Sequence, residues 1–338
     1  MKTNNSKIKL GHGNGGRQMH ELIKDLILPR FNNPWLNRLG DSALIGPENN
    51  RIAFTTDSFV VSPLFFKGGD IGKLAVYGTI NDLVMSAAVP KFISLALIIE
   101  EGLELSVLER ILDSITLACK KEKVKVATGD IKVVEKGACD KIFINTSGIG
   151  YVLKGRDLTP SSIEPGDAII ITGNIAEHGL AVLLGRRGGE LDFNVKSDCA
   201  SLAGMLLPAV SKVASVRFMR DPTRGGLATT LNEIAEAAGL GVTLEEKEIP
   251  VSGKVRAACE LLGIDPLYIA NEGKALIVVK KSGSARLLRL LKDHPLGKNA
   301  RIIGSFTAKF KKRVVLNTLA GGERFIDMLI SEPLPRIC

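Results

Sequence analysis

The chain is poor in aromatic residues, histidine and cysteine: its 338 residues include one Trp, three Tyr, four His and five Cys. The cysteines form no C-x-x-C pair, which argues against a thiolate zinc site or a disulfide framework and favours a reducing cytoplasm. No apolar run approaches the roughly 20 residues of a membrane helix, and the first residues lack the hydrophobic core of a secretory signal. The sequence therefore predicts a cytoplasmic protein with no membrane partner.

The balance of charge is basic, with a formal net charge of +9. A local run, Lys309-Phe310-Lys311-Lys312-Arg313, contributes to it. No recognised nucleic-acid-reading motif accompanies this excess. The charge pattern favours a solvated basic surface or a phosphate-bearing small ligand over nucleic acid.

The length allows two domains with cores of their own. Loop-forming residues concentrate near 154–165, and the boundary is expected there. The prediction is an N-terminal domain over 1–155, a C-terminal α+β domain over 156–318 and a mobile tail over 319–338. Strand and helix signals alternate in mixed order, which indicates an α+β fold of two α/β domains rather than strict βαβ repetition.

Periodicity predicts the main elements. In the N-terminal half we expect strands over 51–56, 93–99, 123–128 and 141–149, and helices over 72–88, stopped by Pro90, and 105–121. In the C-terminal half we expect strands over 167–172, 274–279 and 300–305, and helices near 179–184, over 225–238 and over 284–292.

The final segment, ending in Cys338, is predicted to be extended and mobile. Pro333 and Pro335 exclude a helix there, and Gly321-Gly322 gives the chain a flexible point. From Gly321 an extended tail could reach on the order of 55 Å, at about 3.3 Å per residue. The alternative is a frayed terminus that happens to end in cysteine.

Four aspartates recur beside strands, in Gly-flanked turns or on an apolar helix: Asp41, Asp57, Asp82 and Asp130. An unpaired carboxylate on an apolar helix, such as Asp82, is costly to bury. Several carboxylates together would suit Mg²⁺ and the phosphates of a nucleotide. The alternative is that each aspartate caps a helix or a turn. Taken singly, Asp41 and Asp130 are better explained as capping residues, whereas Asp82 fits that explanation least well.

Two glycine-rich stretches precede helical patterns and suggest phosphate cradles. The first contains Gly13, Gly15 and Gly16, and the second is Asp221-Pro222-Thr223-Arg224-Gly225-Gly226. Free N–H groups at a helix start bind anions, and an arginine adds charge-assisted hydrogen bonds. Neither stretch fits the Walker or dinucleotide patterns.

These stretches, in this order, resemble the ATP-using family that contains aminoimidazole ribonucleotide synthetase, selenophosphate synthetase and thiamine monophosphate kinase. Within it the chain is similar to the HypE-type hydrogenase maturation proteins, from Gly11 to Cys338. The most specific matches are His12-Gly13-Asn14-Gly15-Gly16, Gly78-Thr79-Ile80-Asn81-Asp82, Gly129-Asp130-Ile131-Lys132-Val133-Val134, Asp221 to Gly226, Asn271-Glu272-Gly273 and Pro335-Arg336-Ile337-Cys338. Asn14 and Ile131 depart from the family's usual glycine and threonine.

The resemblance implies an ATP-dependent dehydration of a carbamoyl group carried on Cys338, giving a thiocyanate. It implies ATP and Mg²⁺, with Asp41, Asp57, Asp82 and Asp130 as metal ligands. The nucleotide would be bound by Gly13, Gly15, Gly16, Asp57, Asp221, Arg224, Gly225 and Gly226. Glu272 and Lys132 are the candidates for removing protons from the carboxamide. Alternatively, Lys132 contacts phosphate and Glu272 is a structural partner of a lysine.

The same resemblance implies partners. A HypF-like carbamoyltransferase would load Cys338, and a HypC–HypD complex would accept the cyano group for the iron of a [NiFe]-hydrogenase. A homodimer joined through the N-terminal sheets is also implied. Two alternatives stay open: an ATP-using enzyme acting on a small molecule, as a selenophosphate synthetase does, and a non-catalytic carrier of a modified Cys338.

Overall fold

The computed structural model describes residues 7–13, 16–47, 50–187, 193–330, 334 and 336–338. The α-helices in this part of the chain are α1 Gly16–Leu22, α2 Leu28–Phe31, α3 Ile71–Met85, α4 Leu105–Glu122, α5 Glu177–Arg186, α6 Ala203–Lys212, α7 Gly226–Ala238, α8 Gly253–Leu262 and α9 Lys281–Lys292. A π-helical segment, Ile23–Ile27, joins α1 to α2.

The strands are β1 Ala43–Ile45, β2 Ile52–Phe59, β3 Phe65–Phe66, β4 Gly69–Asp70, β5 Ala88–Glu100, β6 Lys125–Val134, β7 Ile142–Val152, β8 Ala168–Ile171, β9 Val216–Arg220, β10 Gly241–Glu245, β11 Leu276–Val279, β12 Arg301–Thr307, β13 Val314–Asn317 and β14 Glu323–Ile326. The α+β fold predicted from the sequence is confirmed. None of the helices in the described part of the chain has both the length and the apolar character needed to cross a membrane.

The N-terminal half is built on one sheet with the strand order β1-β2-β7-β5-β6. Its pairs are antiparallel except β5 with β6, which run parallel. Helix α3 packs on β2, β5 and β7. It is buried on nearly every side, so its sequence is apolar all round rather than along one stripe. The Asp70 side chain caps α3 by accepting a hydrogen bond from Lys73 N–H at 3.0 Å.

In the part of the chain that the structure describes, the opposite face of this sheet is left uncovered. Phe54, Ile149 and Phe92 lie next to one another across β2, β7 and β5, and each is about two-fifths exposed. Register places Asp130 beside Ala96 and Lys132 beside Ile98 on this face. An apolar row left in contact with water is typical of an interaction surface.

The C-terminal half is built on a second sheet with the strand order β14-β13-β10-β12-β8-β11-β9. Strands β8 and β11 are buried on both faces, which explains their continuous runs of isoleucine, leucine and valine. One face packs on α6 and α9 and the other on α7 and α8. The core on the α6 side continues into the N-terminal half and includes Ile337 and Cys338.

Several predicted bounds differ from the structure. Pro90 does not stop α3: the helix ends at Met85, Ala87 turns the chain with a positive φ of 54°, and Pro90 already belongs to β5. Strands β2 and β6 also run further than predicted. Asp57 and Asp130 therefore lie inside strands rather than at strand ends, because pairing with the long strands β7 and β5 continues past them.

The predicted tail also differs. Residues 323–326 form the edge strand β14, which pairs with β13, so the chain leaves the sheet only after Ile326. The predicted domain boundary at 155 falls in the connection between β7 and β8, and the division of the chain there stays a prediction.

Candidate active site

A cleft of about 560 Å³ lies between the two halves. The N-terminal half contributes β2, α3 and the segment before β1, and the C-terminal half contributes the β9–α7 connection and the loop at Glu272. Its lining includes one thiol, that of Cys338, and the charged residues Asp41, Asp57, Asp82, Arg220, Asp221, Arg224, Glu233 and Glu272. Its large apolar side chains are those of Met19, Trp35, Leu36, Leu39 and Phe54.

Carboxyl groups dominate the polar side of the cleft. Burial raises the pKa of Asp41 to about 6, against the attraction of Arg220. Burial and the neighbouring Asp41 raise the pKa of Asp221 to about 8. Burial, followed by repulsion from Asp221 and Asp57, holds the pKa of Asp82 well above its ordinary value. Thr55 Oγ1 donates a hydrogen bond to Asp82 Oδ2 at 2.9 Å, which lowers this pKa but does not offset the rise. The cleft is a concentration of negative charge that protons or a cation would relieve.

Arg220 offsets part of this charge. Its Nε lies 3.3 Å from Asp41 Oδ1 and its Nη2 lies 2.9 Å from Glu233 Oε2. Glu233 Oε1 in turn lies 2.5 Å from His20 Nε2. Burial alone would raise the pKa of Glu233, but Arg220 and His20 lower it below its ordinary value. This chain of contacts ties helix α1 to the wall of the cleft.

The side chain of Cys338 lies in the cleft, against Arg224. Arg224 Nε donates to Cys338 Sγ at 3.0 Å, and Nη1 donates to the carbonyl of Gly13 at 2.7 Å. Arg224 Nη2 is 3.9 Å from Asp57 Oδ1. Burial raises the pKa of the Cys338 thiol to about 12, and Glu272 is near enough to add to this effect. Arg224 thus bridges the glycine-rich N-terminal stretch, an acidic group and the terminal thiol.

The last residues are held by the segment that follows β2. Val60 N–H donates to the carbonyl of Cys338 at 3.0 Å, and Ser62 N–H donates to that of Arg336 at 3.3 Å. Arg336 Nε donates back to the Val60 carbonyl at 2.8 Å, and Arg336 Nη1 pairs with Asp140 Oδ2 at 2.5 Å. The end of the chain, expected to be mobile, is docked here by backbone pairing.

A buried histidine adds to the docking. His178 Nε2 lies 2.9 Å from the carbonyl of Ile337, and Nδ1 lies 2.8 Å from Ser197 Oγ. Burial lowers the pKa of His178, so the ring is neutral near pH 7. Because a carbonyl can only accept, Nε2 carries the proton and Nδ1 accepts from the Ser197 hydroxyl.

The docked thiol is expected to react slowly. With a pKa of about 12 instead of 9.0, its thiolate fraction at pH 8 is about 10³-fold below that of an ordinary cysteine, and the thiolate is the nucleophile. Arg336→Ala removes the contacts to Val60 and Asp140 and is expected to speed labelling of Cys338 by iodoacetamide, with rates rising with pH in both proteins. Mass spectrometry of the C-terminal peptide measures this.

The control for labelling is Arg324→Ala, which loses only an exposed pair with Asp265. It should label as slowly as the unaltered chain. Equal, slow labelling of Arg336→Ala would contradict the importance of these contacts for holding the tail.

The structure brings half of the predicted site residues together. Asp41, Asp57, Asp82, Asp221, Arg224, Glu272 and Cys338 line the one cleft. Gly13 reaches it through the hydrogen bond to Arg224. Gly16 adopts φ 77°, and a Cβ there would lie 2.5 Å from the Leu329 carbonyl, so it is required where α1 meets the start of the tail. Gly15 lies outside the described residues.

Gly225 and Gly226 do not line the cleft. Both have positive φ, 75° and 60°. A Cβ on Gly225 would lie 2.3 Å from Thr229 Oγ1, and one on Gly226 would lie 2.7 Å from the Ile269 carbonyl. Packing and backbone conformation explain these glycines in this structure.

Asp130 and Lys132 lie apart from the cleft. Both are on the edge strand β6, about two-thirds exposed, and Lys132 Nζ pairs with Asp130 Oδ2 at 2.5 Å. Hydrogen bonding from Lys132 lowers the pKa of Asp130. Neither side chain reaches the carboxyl cluster of its own chain.

The donor set of the cleft fits a hard divalent cation, because raised pKa values of crowded carboxyls are what an oxygen-ligated cation would reverse. Among the described residues no group of three or more His, Cys, Asp or Glu side chains is already arranged to hold a metal. The carboxyl groups share the cleft without forming a closed coordination shell. The large apolar side chains of the lining suit a flat base, so the cleft as a whole fits a nucleotide with its cation.

Sequence reasoning missed Arg220 and Glu233. Neither belongs to a recognisable motif, and the contacts Arg220–Asp41 and His20–Glu233 join residues far apart in the chain. The one available signal was the adjacency of Arg220 to the Asp221 stretch.

Comparison with known families matches both halves of the chain. A family model described as AIR synthase related protein, N-terminal domain, matches residues 39–152. A second, AIR synthase related protein, C-terminal domain, matches residues 164–317. The two matches together span most of the chain.

Individual proteins are similar over nearly the whole length. Carbamoyl dehydratase HypE of Rhizobium leguminosarum bv. viciae is 47% identical over 335 residues, covering 99% of this chain and 96% of the relative. A crystal structure of hydrogenase maturation protein HypE in complex with ATP is 45% identical, with a TM-score of 0.82 over 98% of this chain and 100% of that one. A HypE–HypF complex is 43% identical, with a TM-score of 0.87 over 91% of this chain and 99% of that chain.

Proposed function

Since the chain belongs to the AIR synthase related family, and within it to the HypE group, we propose that it is an ATP-dependent carbamoyl dehydratase acting on its own terminal residue. It converts S-carbamoyl-Cys338 to a thiocyanate, the source of a cyanide ligand for the iron of a [NiFe]-hydrogenase. The observation that carries the proposal is the position of the Cys338 thiol. It is buried among the carboxyl groups of the cleft, 3.0 Å from Arg224 Nε.

The reaction needs activation of a poor leaving group. The carboxamide oxygen attacks the γ-phosphorus of ATP, and ADP leaves. One N–H proton then passes to the base and the other to the departing phosphate while the C–O bond breaks, so the oxygen departs in inorganic phosphate and a C≡N group stays on sulfur. Enclosure in a cleft keeps water from hydrolysing the activated intermediate.

The chain's own groups have distinct tasks in this scheme. Arg224 orients the sulfur-bound group and attracts the anionic phosphoryl oxygens. Glu272 is the proposed base. Burial, and then the neighbouring Asp57 and Asp221, raise its pKa well above the ordinary value, and a carboxylate with a higher pKa is a stronger base. Trp35 and its apolar neighbours would hold the base of the nucleotide.

Mg²⁺ fits the acidic side of the cleft. Asp41, Asp57, Asp82 and Asp221 would hold it there, directly or through water. When bound, the ion offsets charge on the phosphates and aligns the γ-phosphoryl group for in-line transfer.

A homodimer would give Asp130 and Lys132 a role. Both lie on the uncovered face of the N-terminal sheet, to which Phe54, a residue of the cleft lining, also belongs. Two chains packed through this face would let Asp130 and Lys132 approach the partner's cleft, as a metal ligand and a base or phosphate contact. The apolar row Phe54, Ile149 and Phe92 supports this arrangement.

The dimer is tested by placing a charge in the row. Ile149→Glu should convert the dimer to a monomer, because a buried unpaired carboxylate is costly. Light scattering coupled to size exclusion measures the mass. Leu117→Glu is the control, since Leu117 is an exposed residue of α4 (68%) away from this face and its replacement should leave the dimer intact. A monomeric unaltered chain at micromolar concentration would refute the homodimer.

The proposed partners follow from the chemistry of the tail. A HypF-type carbamoyltransferase would load Cys338, which is consistent with the HypE–HypF complex formed by a relative, and a HypC–HypD complex would accept the cyano group. Both exchanges require the docked tail to leave the cleft. The five free cysteines favour the reducing cytoplasm as the site of action.

Intact and peptide mass spectrometry tests the function. The chain is first carbamoylated by its transferase and carbamoyl phosphate, then given Mg-ATP. Loss of one water from the Cys338 peptide, absent without ATP or with EDTA, is expected. A carbamoylated peptide that ATP leaves unchanged would favour a non-catalytic carrier, and a Cys338 that is never carbamoylated would favour a small-molecule enzyme.

A further inference from the structure

Asn81 is buried at the junction of the two halves, one residue before Asp82 on α3, and is 1% exposed. Its Nδ2 donates to the carbonyl of Glu272 and to that of Ala200, each at 3.0 Å. Its Oδ1 accepts from Leu202 N–H at 2.8 Å. Both donor hydrogens and the acceptor of this amide are therefore used across the domain junction.

Glu272 is held from its other side as well. Its N–H donates to Asp198 Oδ1 at 3.1 Å, and Asp198 Oδ2 lies 3.1 Å from Lys274 Nζ. The next residue, Gly273, passes so close to the Asp198 carbonyl that a Cβ would lie 1.9 Å from it. The backbone of Glu272 is thus fixed at both N–H and C=O, with little room to shift.

The helix that carries Asn81 also forms part of the cleft. Asp82 and Gly78 line it, while the Asn81 side chain makes its hydrogen bonds to the backbone of the C-terminal half. A buried amide is more costly than a hydrocarbon unless its hydrogen bonds are made, so packing alone would be served equally well by an apolar side chain. The hydrogen bonds of the amide additionally hold α3 and the Glu272 loop at a fixed distance from each other.

We infer that Asn81 is a positioning residue for the dehydration: by clamping the Glu272 backbone to α3 it holds the Glu272 carboxylate at a set place relative to Asp82 and Cys338. This inference rests on the proposed function. It predicts that Asn81 acts on the chemical step through Glu272, and hardly on the binding of Mg-ATP.

A double-mutant cycle separates this role from general stabilisation. The variants are Asn81→Ala, Glu272→Gln and the two combined. For each, the measured quantity is the single-turnover rate of water loss from carbamoylated Cys338 at saturating Mg-ATP. Asn81→Ala should slow the reaction about 10²-fold, the cost of an ångström-scale misplacement, with ATP affinity changed less than about threefold. The combined variant should be no slower than Glu272→Gln alone, because the two residues act as one unit.

Asn317→Ala is the matched control, since it loses one amide hydrogen bond, to Glu245 Oε1 at 2.7 Å, far from the cleft. It should react at the unaltered rate. If Asn81→Ala fails to fold, Asn81→Ser replaces it in the cycle with a smaller polar group. An Asn81 variant with an unchanged rate, or rate losses that multiply in the combined variant, would overturn the inference.

A second readout does not depend on activity. Hydrogen exchange of the amides at 271–273 should be faster in the Asn81 variant and unchanged in Asn317→Ala. If the unaltered chain fails to dehydrate carbamoylated Cys338 while these amides respond as expected, the proposed function fails and the clamp stands. Unchanged exchange at 271–273 refutes the clamp whatever the activity.

Discussion

Glutamine at position 272 is expected to slow the loss of water from carbamoylated Cys338 by about 10²–10⁴-fold, the usual contribution of a general base, and to leave Mg-ATP binding nearly unchanged. Glu272 is 5% exposed, and its pKa is raised first by burial and then by Asp57 and Asp221. Glutamine keeps the shape and the backbone contacts but cannot take a proton. Single-turnover mass spectrometry of the C-terminal peptide, with calorimetry for the nucleotide, measures both effects.

The pH profile makes this prediction sharper. A base works only when deprotonated, so the unaltered rate should rise with pH as Glu272 loses its proton and then level off, and Glu272→Gln should lose that rise. Glu248→Gln is the control, because Glu248 makes only an exposed pair with Arg301. Full-rate conversion by Glu272→Gln would contradict its role and make Lys132 of a partner chain the stronger candidate.

The sequence predicted long periodic elements well and interrupted ones poorly. Helix α4 was predicted over 105–121 and runs from Leu105 to Glu122, because its apolar residues share one face. Strand β6 was predicted to end at 128, because Gly129-Asp130 resembles a turn. In the structure the strand continues to Val134, because it pairs in parallel with β5 over that length. Helix α6, with Pro208 inside it, and the edge strand β14 were not predicted at all. In each of these cases tertiary pairing or packing overrides the local signal.

In the candidate site, too, some features were predictable from the sequence and others were not. The aspartates and the Arg224 stretch stood out by residue type and motif, and the structure brings Asp41, Asp57, Asp82 and Asp221 into one cleft. The supporting contacts could not be predicted, because Asn81 meets Glu272 across 191 positions of the chain and His20 meets Glu233 across 213. No local pattern indicates such pairs. The exposed location of Asp130 and Lys132 likewise depends on register along β5, which the sequence alone does not define.

Replacing Cys338 by alanine is expected to abolish both the carbamoyl adduct and the loss of water, with Mg-ATP still bound. In the proposed reaction the Cys338 thiol carries the substrate, so no other group can substitute for it. Burial raises the pKa of Cys259 to about 11 and that of Cys199 well above the ordinary value, which keeps both as unreactive thiols. Cys259→Ala, on α8 and outside the cleft, is the control and should be carbamoylated and dehydrated at the unaltered rate.

Serine at position 338 tests whether the transferase selects the thiol or its place on the tail. The hydroxyl fits the space beside Arg224 but is a weak nucleophile without an activating base, so no adduct is expected and the mass of the C-terminal peptide should stay unchanged. An adduct on this serine would show that position alone directs the transfer. Dehydration that continues in Cys338→Ala would remove the terminal thiol from the mechanism, because the cyano group would then be made on some other carrier in the same cleft.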